Sequence, residues 1–402
     1  MIQSPILRRL VEANPVRNPL MAERFWREMQ GIDAPLIEDG ADVAKRLVTF
    51  IYRGDSSTRN VALLCCINRQ SLGTNQLQQY GESNLWYQSF ELDADLRTRY
   101  LFSPNDSLIP LTDDDVFSKR SPNVCVDPLN PKVCTLKAME DDPDDEFDTT
   151  YSVLELPDAP SLDHTRPREN VPHGMLIKHR FTSDHLTNDR SIWVYTPPDK
   201  YSNRRLNLLI VFDGWNYTTV IPTPTILDNL IEDGRIAPTV ALFVDHDTWE
   251  SRELELTCNE QFAEFLAHEI IPWAIQAFGV TDDPKKTTLA GSSYGGLAAC
   301  FCALTFPDLF GNVVAQSCSA MWNGDYIIHR FESEPLKPIR IYLDIGRQEY
   351  VHSTREPCTR TLRQFRDVLA TKKYDFVYNE FNGGHDYNCW AATLSMGLTA
   401  FS

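Results

Sequence analysis

The chain has 402 residues, 42% apolar and 23% charged, which is enough for a sizeable core and suggests two or three domains. Its formal net charge of -18 repels nucleic acid and anionic membrane, and excludes both as general partners. The opening MIQSPILRRLVEANP has no apolar core or small-residue cleavage site, so no secretory leader is expected, and no run reaches the length of a membrane span. Ten cysteines are scattered without paired CxxC elements, several inside apolar runs such as ALLCCI and AACFCAL. That usage argues against a zinc site and for a reducing, cytoplasmic compartment.

In chain order, residues 1 to about 40 carry helix-like segments such as Met21 to Met29, with no role evident from the sequence. From about 45 to 103 come LVTFIYRG, NVALLCCIN, NLWYQSFEL and TRYLFS, β-branched and aromatic runs between turn residues. Their spacing predicts a small β-sandwich, with Trp86, Tyr87 and Tyr100 more simply read as core than as pocket residues. An acidic, proline-containing tract at 140–146 reads as a linker, placing a domain boundary between about 132 and 172. The expected domains are therefore a front region over 1–150 and a second domain over 173–402.

In that second part, MLIKHRF and RSIWVYTPP lead. LNLLIVFDG, TVALFVD, KTTLAG, NVVAQS, IRIYLDIG and DFVYNEF follow as strands. TPTILDNLIEDG, EQFAEFLAHEIIPWAIQAF, SYGGLAACFCALTFP and RTLRQFRDVLATK alternate with them as helices. Such alternation predicts an α/β, doubly wound and mainly parallel sheet.

The strongest chemical motif is Gly291-Ser292-Ser293-Tyr294-Gly295, a GxSxG between a strand and a helix. By itself the pattern is weak; in that context it is the nucleophile elbow of an α/β-hydrolase, with Ser293 as nucleophile. A serine hydroxyl needs a base, and in this fold the acid and then the histidine follow it in the chain. Among His329, His352 and His385, the last is best placed, in the turn Asn382-Gly383-Gly384-His385-Asp386 after the final strand. Glu349, just past IRIYLDIG, is the favoured acid; Asp344 and then Asp386 are the alternatives. The oxyanion needs two backbone donors, assigned to the amides of Tyr294 and of Trp215 in VFDGWNY.

These residues together resemble enterochelin esterases, which hydrolyse the trilactone of ferric catecholate siderophores in the bacterial cytoplasm. The likeness is carried by VFDGWNY, SRELELTCNEQF, GSSYGGL, FGNVVAQSCS, DIGRQE and GGHDYNCW. In the front part it is carried by NLWYQSFELDADLRTRYLF and DPLNP, which are similar to that family's N-terminal immunoglobulin-like domain. The resemblance implies that Arg252 lies at the catecholate pocket, where a guanidinium suits anionic oxygens. A purely structural Arg252 would instead pair with Glu250 or Glu255. Glu255 and Asn259 also match family positions and are read as structural. The chain departs from the family at Ser317-Cys318-Ser319-Ala320-Met321-Trp322, where Trp322 is the one aromatic left to line a substrate pocket.

The expectation is a serine ester hydrolase acting on a small-molecule siderophore trilactone, with no cofactor and no metal site of its own. Two rivals remain at this stage. An acyltransferase or thioesterase would use the same Ser293, Glu349 and His385, and a siderophore-binding protein would not use them at all.

Overall fold

The computed structural model describes residues 2–14, 19–67, 75–108, 121–139, 147–201, 205–246, 248–351 and 356–401. The acidic tract 140–146 and His352 lie outside the described residues.

The front domain opens with helices α1 (Pro5–Ala13) and α2 (Pro19–Met29). Strands β1 (Leu36–Asp39), β2 (Lys45–Arg53), β3 (Val61–Cys65), β4 (Gln76–Gln79), β5 (Leu85–Asp93), β6 (Arg97–Pro104), β7 (Val133–Leu136) and β8 (Thr149–Glu155) follow. They pair antiparallel in the order β1-β2-β5-β4-β3-β6-β8-β7. Side chains alternate between the faces of a strand. Val48 and Phe50 of β2 thus join Phe90, Tyr100 and Phe102 in one core, while Ile51 faces Phe25, Trp26 and Met29 of α2. The two N-terminal helices therefore cover the outer face of β2 and β5, a role their sequence did not reveal. Trp86, Tyr87 and Tyr100 are all buried in these cores.

The expected end of the front region needs a small shift. Strand β8 pairs with β6 and β7, so the front sheet runs past residue 150, and these two strands stand on either side of the tract 140–146 in the sequence. Both are short, and the acidic tract between them masked their period.

The second domain begins with β9 (Met175–Ser183), β10 (Asn188–Thr196) and β11 (Asn207–Phe212). Helices α3 (Gly214–Thr219) and α4 (Thr223–Glu232) lead to β12 (Thr239–Val244). Helix α5 (Trp249–Leu256) precedes α6 (Glu260–Phe265), which continues through a π-helical segment, Leu266–Ile270, into α7 (Ile271–Phe278). The remainder alternates: β13 (Thr287–Ser292), α8 (Tyr294–Thr305), β14 (Asn312–Gln316), α9 (Trp322–Ser333), β15 (Arg340–Gly346), α10 (Cys358–Lys372), β16 (Asp375–Phe381) and α11 (Tyr387–Thr399).

Strand order is β16-β15-β14-β13-β11-β12-β10-β9, with β11 to β16 mutually parallel and β10 antiparallel to both its neighbours. Both faces of this sheet are covered. Leu208, Ile210 and Phe212 of β11 pack with Phe262, Leu297 and Phe365, whereas Leu209 and Val211 pack with Ile226, Leu230 and Trp390. That explains the unbroken apolar runs of the parallel strands. The order reverses between β11 and β13, and the carboxyl ends of the strands on either side of such a switch frame a crevice. Among the described residues no helix is long and apolar enough to cross a membrane.

Candidate active site

Ser293 sits between β13 and α8 with φ 57 and ψ -119, a conformation an L-residue adopts only when its surroundings impose it. Here they do. The Ser293 amide donates to the Gln316 carbonyl at 2.9 Å, and the Ser293 carbonyl accepts from Ser319 at 3.1 Å. A Cβ on Gly291 would lie 2.7 Å from the carbonyl carbon of Gly295, so the turn closes only without one. The hydroxyl is thereby raised into a cavity of about 350 Å³ lined by Ser293, Tyr294, Trp322, Glu349 and His385, among others.

Glu349 follows β15 and is buried. Its Oε1 accepts from the Gly346 amide at 2.8 Å and from Ser317 Oγ at 2.6 Å. Its Oε2 lies 2.7 Å from His385 Nδ1. A carboxylate only accepts, so Nδ1 carries the proton of this bond, and in the neutral imidazole Nε2 is then the nitrogen with the lone pair. The His385 ring meets the edge of Trp390 at 4.8 Å, and Trp390 Nε1 donates to Ser317 Oγ at 2.8 Å. Ser317, Glu349, His385 and Trp390 thus form one connected group.

Ser293 Oγ bonds to Ser319 Oγ at 3.2 Å rather than to His385, although both line the same cavity. Catalytic hydrogen bonds are often loose before substrate arrives. The other two carboxylates do different work. Asp344 accepts from the Ser317 amide at 3.0 Å, and burial pushes it up to about 7. Asp386 caps the start of α11 through the Cys389 amide at 3.2 Å.

The two residues expected to donate to an oxyanion differ. Tyr294 is the first residue of α8, where an amide has no intrahelical partner and the helix dipole is positive. The Trp215 assignment needs correction: its amide donates to Asp245 Oδ2 at 2.6 Å and is not open to an incoming oxygen. Asp245 arrives from the end of the neighbouring strand β12, a proximity that local sequence does not show.

Arg252 pairs with neither Glu250 nor Glu255. Its Nε and Nη2 fork onto the two oxygens of Asp213 at 2.6 and 2.7 Å, while Glu255 pairs with the buried Arg190. Burial raises Asp213, but the Arg252 charge and hydrogen bonds outweigh it and hold the carboxyl below its usual range. The guanidinium lies 5.5 Å from the Trp249 ring and 5.8 Å from that of Tyr294, which brings it to the border of the cavity without lining it. Trp322 lines the cavity and meets Tyr326 edge-on at 6.0 Å. Asn259 caps α6 through the Phe262 amide.

Sequence reasoning missed Ser317 and Ser319, which needed the strand order to place them, and Arg99 of β6. The last lies over the Tyr151 ring at 4.3 Å, in a crevice between the domains that His385 also lines. Among the described residues no group of three or more His, Cys, Asp or Glu is arranged to hold a metal ion.

A family model described as "Putative esterase" matches residues 183–401, and one described as "Enterochelin esterase, N-terminal" matches 47–165. The iron(III) enterobactin esterase of Dickeya dadantii is 25% identical, over 94% of this chain and 92% of its own length. That of Escherichia coli (strain K12) is 26% identical over 82% of each. The enterobactin esterase structure from Shigella flexneri has a TM-score of 0.78 at 23% identity, covering 94% of this chain and 97% of its own. The ferric enterobactin esterase structure from Salmonella typhimurium gives 0.78 at 24%, with 94% and 98% covered. The two structures share this chain's fold over 94% of its length. Because the first family model spans more than half of its residues, the chain belongs to the esterase family.

Proposed function

We propose that this esterase opens the trilactone of ferric catecholate siderophores such as enterobactin, using Ser293 as nucleophile, His385 as base and Glu349 as the group that orients it. The observation that carries the reading is the 2.7 Å bond between buried Glu349 and His385, at the wall of the cavity into which the strained Ser293 projects. The substrate class comes from the relatives, which match both domains in order. The front domain is read as immunoglobulin-like and the second as a doubly wound α/β-hydrolase. The cytoplasm is the compartment, on the scattered cysteines of the sequence.

In the reaction, Ser293 Oγ turns from Ser319 to His385 and gives its proton to Nε2 while attacking a lactone carbonyl. The Tyr294 amide and the positive end of α8 stabilise the oxyanion. The alcohol leaves with the proton from His385, and water, activated by the same nitrogen, releases the acyl group as a carboxylate. Iron belongs to the substrate. Arg252, largely neutralised by Asp213, shapes the cavity border and keeps the Tyr294 ring in place, while Trp322 offers an aromatic wall to the catechol rings.

The test is mass spectrometry of products from ferric and iron-free enterobactin, with wild type and Ser293→Ala. Wild type should yield linear serine esters and then the monomer. Ser293→Ala should lose about 10⁴-fold or more in kcat and fail to take a fluorophosphonate label. Full turnover by Ser293→Ala would end the assignment.

A further inference from the structure

Ester hydrolysis asks nothing chemical of the front domain, since Ser293, Glu349 and His385 all follow strands of the second sheet. Yet the start of β6 lies along the loop that carries the base. Arg97 forms an isolated parallel bridge with Gly383. Its amide donates to the Asn382 carbonyl at 3.0 Å, and its carbonyl accepts from Cys389 Sγ at 3.4 Å.

Two residues earlier, Asp95 Oδ1 accepts from Asn382 Nδ2 at 2.7 Å, and its other oxygen pairs with the Arg347 guanidinium. Arg347 and Gln348 immediately precede Glu349. Their amides donate to Phe381 and Gly383 carbonyls at 2.8 and 3.0 Å, and Gln348 Nε2 reaches Asn382 Oδ1 at 3.1 Å. The loop of the acid and the loop of the base therefore meet at Asp95, in the turn between β5 and β6.

The fit is close. A methyl group on Gly383 would come within 2.5 Å of Cys389 Sγ and 3.0 Å of the Arg97 carbonyl oxygen, and one on Gly384 within 3.2 Å of Cys66 Cβ. The loop also needs such a support. Two glycines give it freedom, and His385 is 42% exposed, so its own burial does not fix it. Misplacing a catalytic group by about 1 Å costs roughly 10²-fold in rate.

We infer that the front domain is a positioning element of the catalytic machinery, with Asp95 and the Arg97 backbone holding loop 382–385 so that His385 meets both Glu349 and Ser293. This rests on the reading of those three residues as the catalytic set. Asp95 touches no substrate in this account; it acts through Asn382 and Arg347.

The experiment uses the full chain with Asp95→Ala, Asp95→Asn and Asn382→Ala. Each is assayed on p-nitrophenyl acetate, which is too small to touch the front domain itself, and on the siderophore trilactone. Asp95→Ala should lower kcat about 10-fold or more on both esters with KM within about twofold, and slow fluorophosphonate labelling in step. Asp95→Asn keeps an oxygen for Asn382 and should recover most of the rate. Asn382→Ala cuts the same bond from the other side, should reproduce the loss, and decides the matter if Asp95→Ala does not fold. Unchanged kcat on both esters, or a loss confined to KM for the trilactone, would overturn the inference. Activity retained by Ser293→Ala would instead strike the catalytic assignment beneath it.

Discussion

A carboxylate that is to aim an imidazole must first have its own remaining lone pairs filled, or it turns away toward water. At Glu349 the Gly346 amide and the Ser317 hydroxyl share Oε1, which leaves Oε2 to His385. Ser317 is itself held by Trp390 Nε1. Ser317→Ala removes one of these donors and leaves the buried indole N–H unpaired, a change worth about 1–3 kcal/mol of stability. We expect urea unfolding to show that loss and kcat to fall about 10-fold with KM unchanged, whereas an unchanged kcat would mean the Gly346 amide suffices. Asp344, fully buried beneath this group, makes a second prediction. Burial raises it to about 7 and the nearby Glu349 charge adds to the rise, although Thr393 and the Ser317 amide oppose them. From the ordinary value of 3.8 up to that point, the native state holds the proton more tightly than the unfolded chain does. Stability tied to this proton is complete below the lower value and is lost as pH rises through the window. Asp344→Asn should abolish that fall, so its melting temperature relative to wild type should climb from about pH 4 to about pH 7 and level off above. A constant difference would refute the raised carboxyl.

Elements differ in how legible they are, for reasons their own residues supply. The inner parallel strands could be read because burial on both faces makes them mostly apolar runs, and the candidate residues Ser293, Glu349 and His385 could be placed because each lies just past a strand, although the last of these, the edge strand β16, is partly exposed. The turn that carries Ser293, the proposed nucleophile, announced itself through Gly291 and Gly295, which the close approach of their backbones requires. What escaped was anything fixed by one strand's neighbour instead of its own sequence. Asp245 meets the Trp215 amide because β12 lies beside β11, and Arg252 finds Asp213 because α5 returns over the end of β11. In the front domain β7 and β8 were lost for a different reason: four and seven residues are too few to show a period beside an acidic tract. The helix over α6 and α7 was read as continuous, and it is, but a π-helical segment before Pro272 lets the chain accept a proline without ending the helix.

For the whole molecule, the field of a -18 chain is set against its proposed substrate. A tris-anionic iron complex must approach against that charge, and every ester opened adds a carboxylate that the same field helps to expel. The cations nearest the cleft do not cancel it. Arg252 is matched by Asp213, and Arg99 stands in the crevice between the domains over Tyr151. Such a balance separates by range. Long-range repulsion is screened by salt, whereas attraction within the crevice acts over a few ångströms and is screened little. Raising ionic strength from about 0.01 to about 0.15 M shortens the Debye length from about 30 to about 8 Å. Over that interval kcat/KM for the ferric trilactone should rise about threefold, while that for p-nitrophenyl acetate, which is neutral, should stay level. The measurement is stopped-flow or steady-state rates at low substrate across a sodium chloride series. A fall with salt would show that Arg99 and its neighbours draw the substrate in from a distance, and that the net charge of the chain does not govern its encounter.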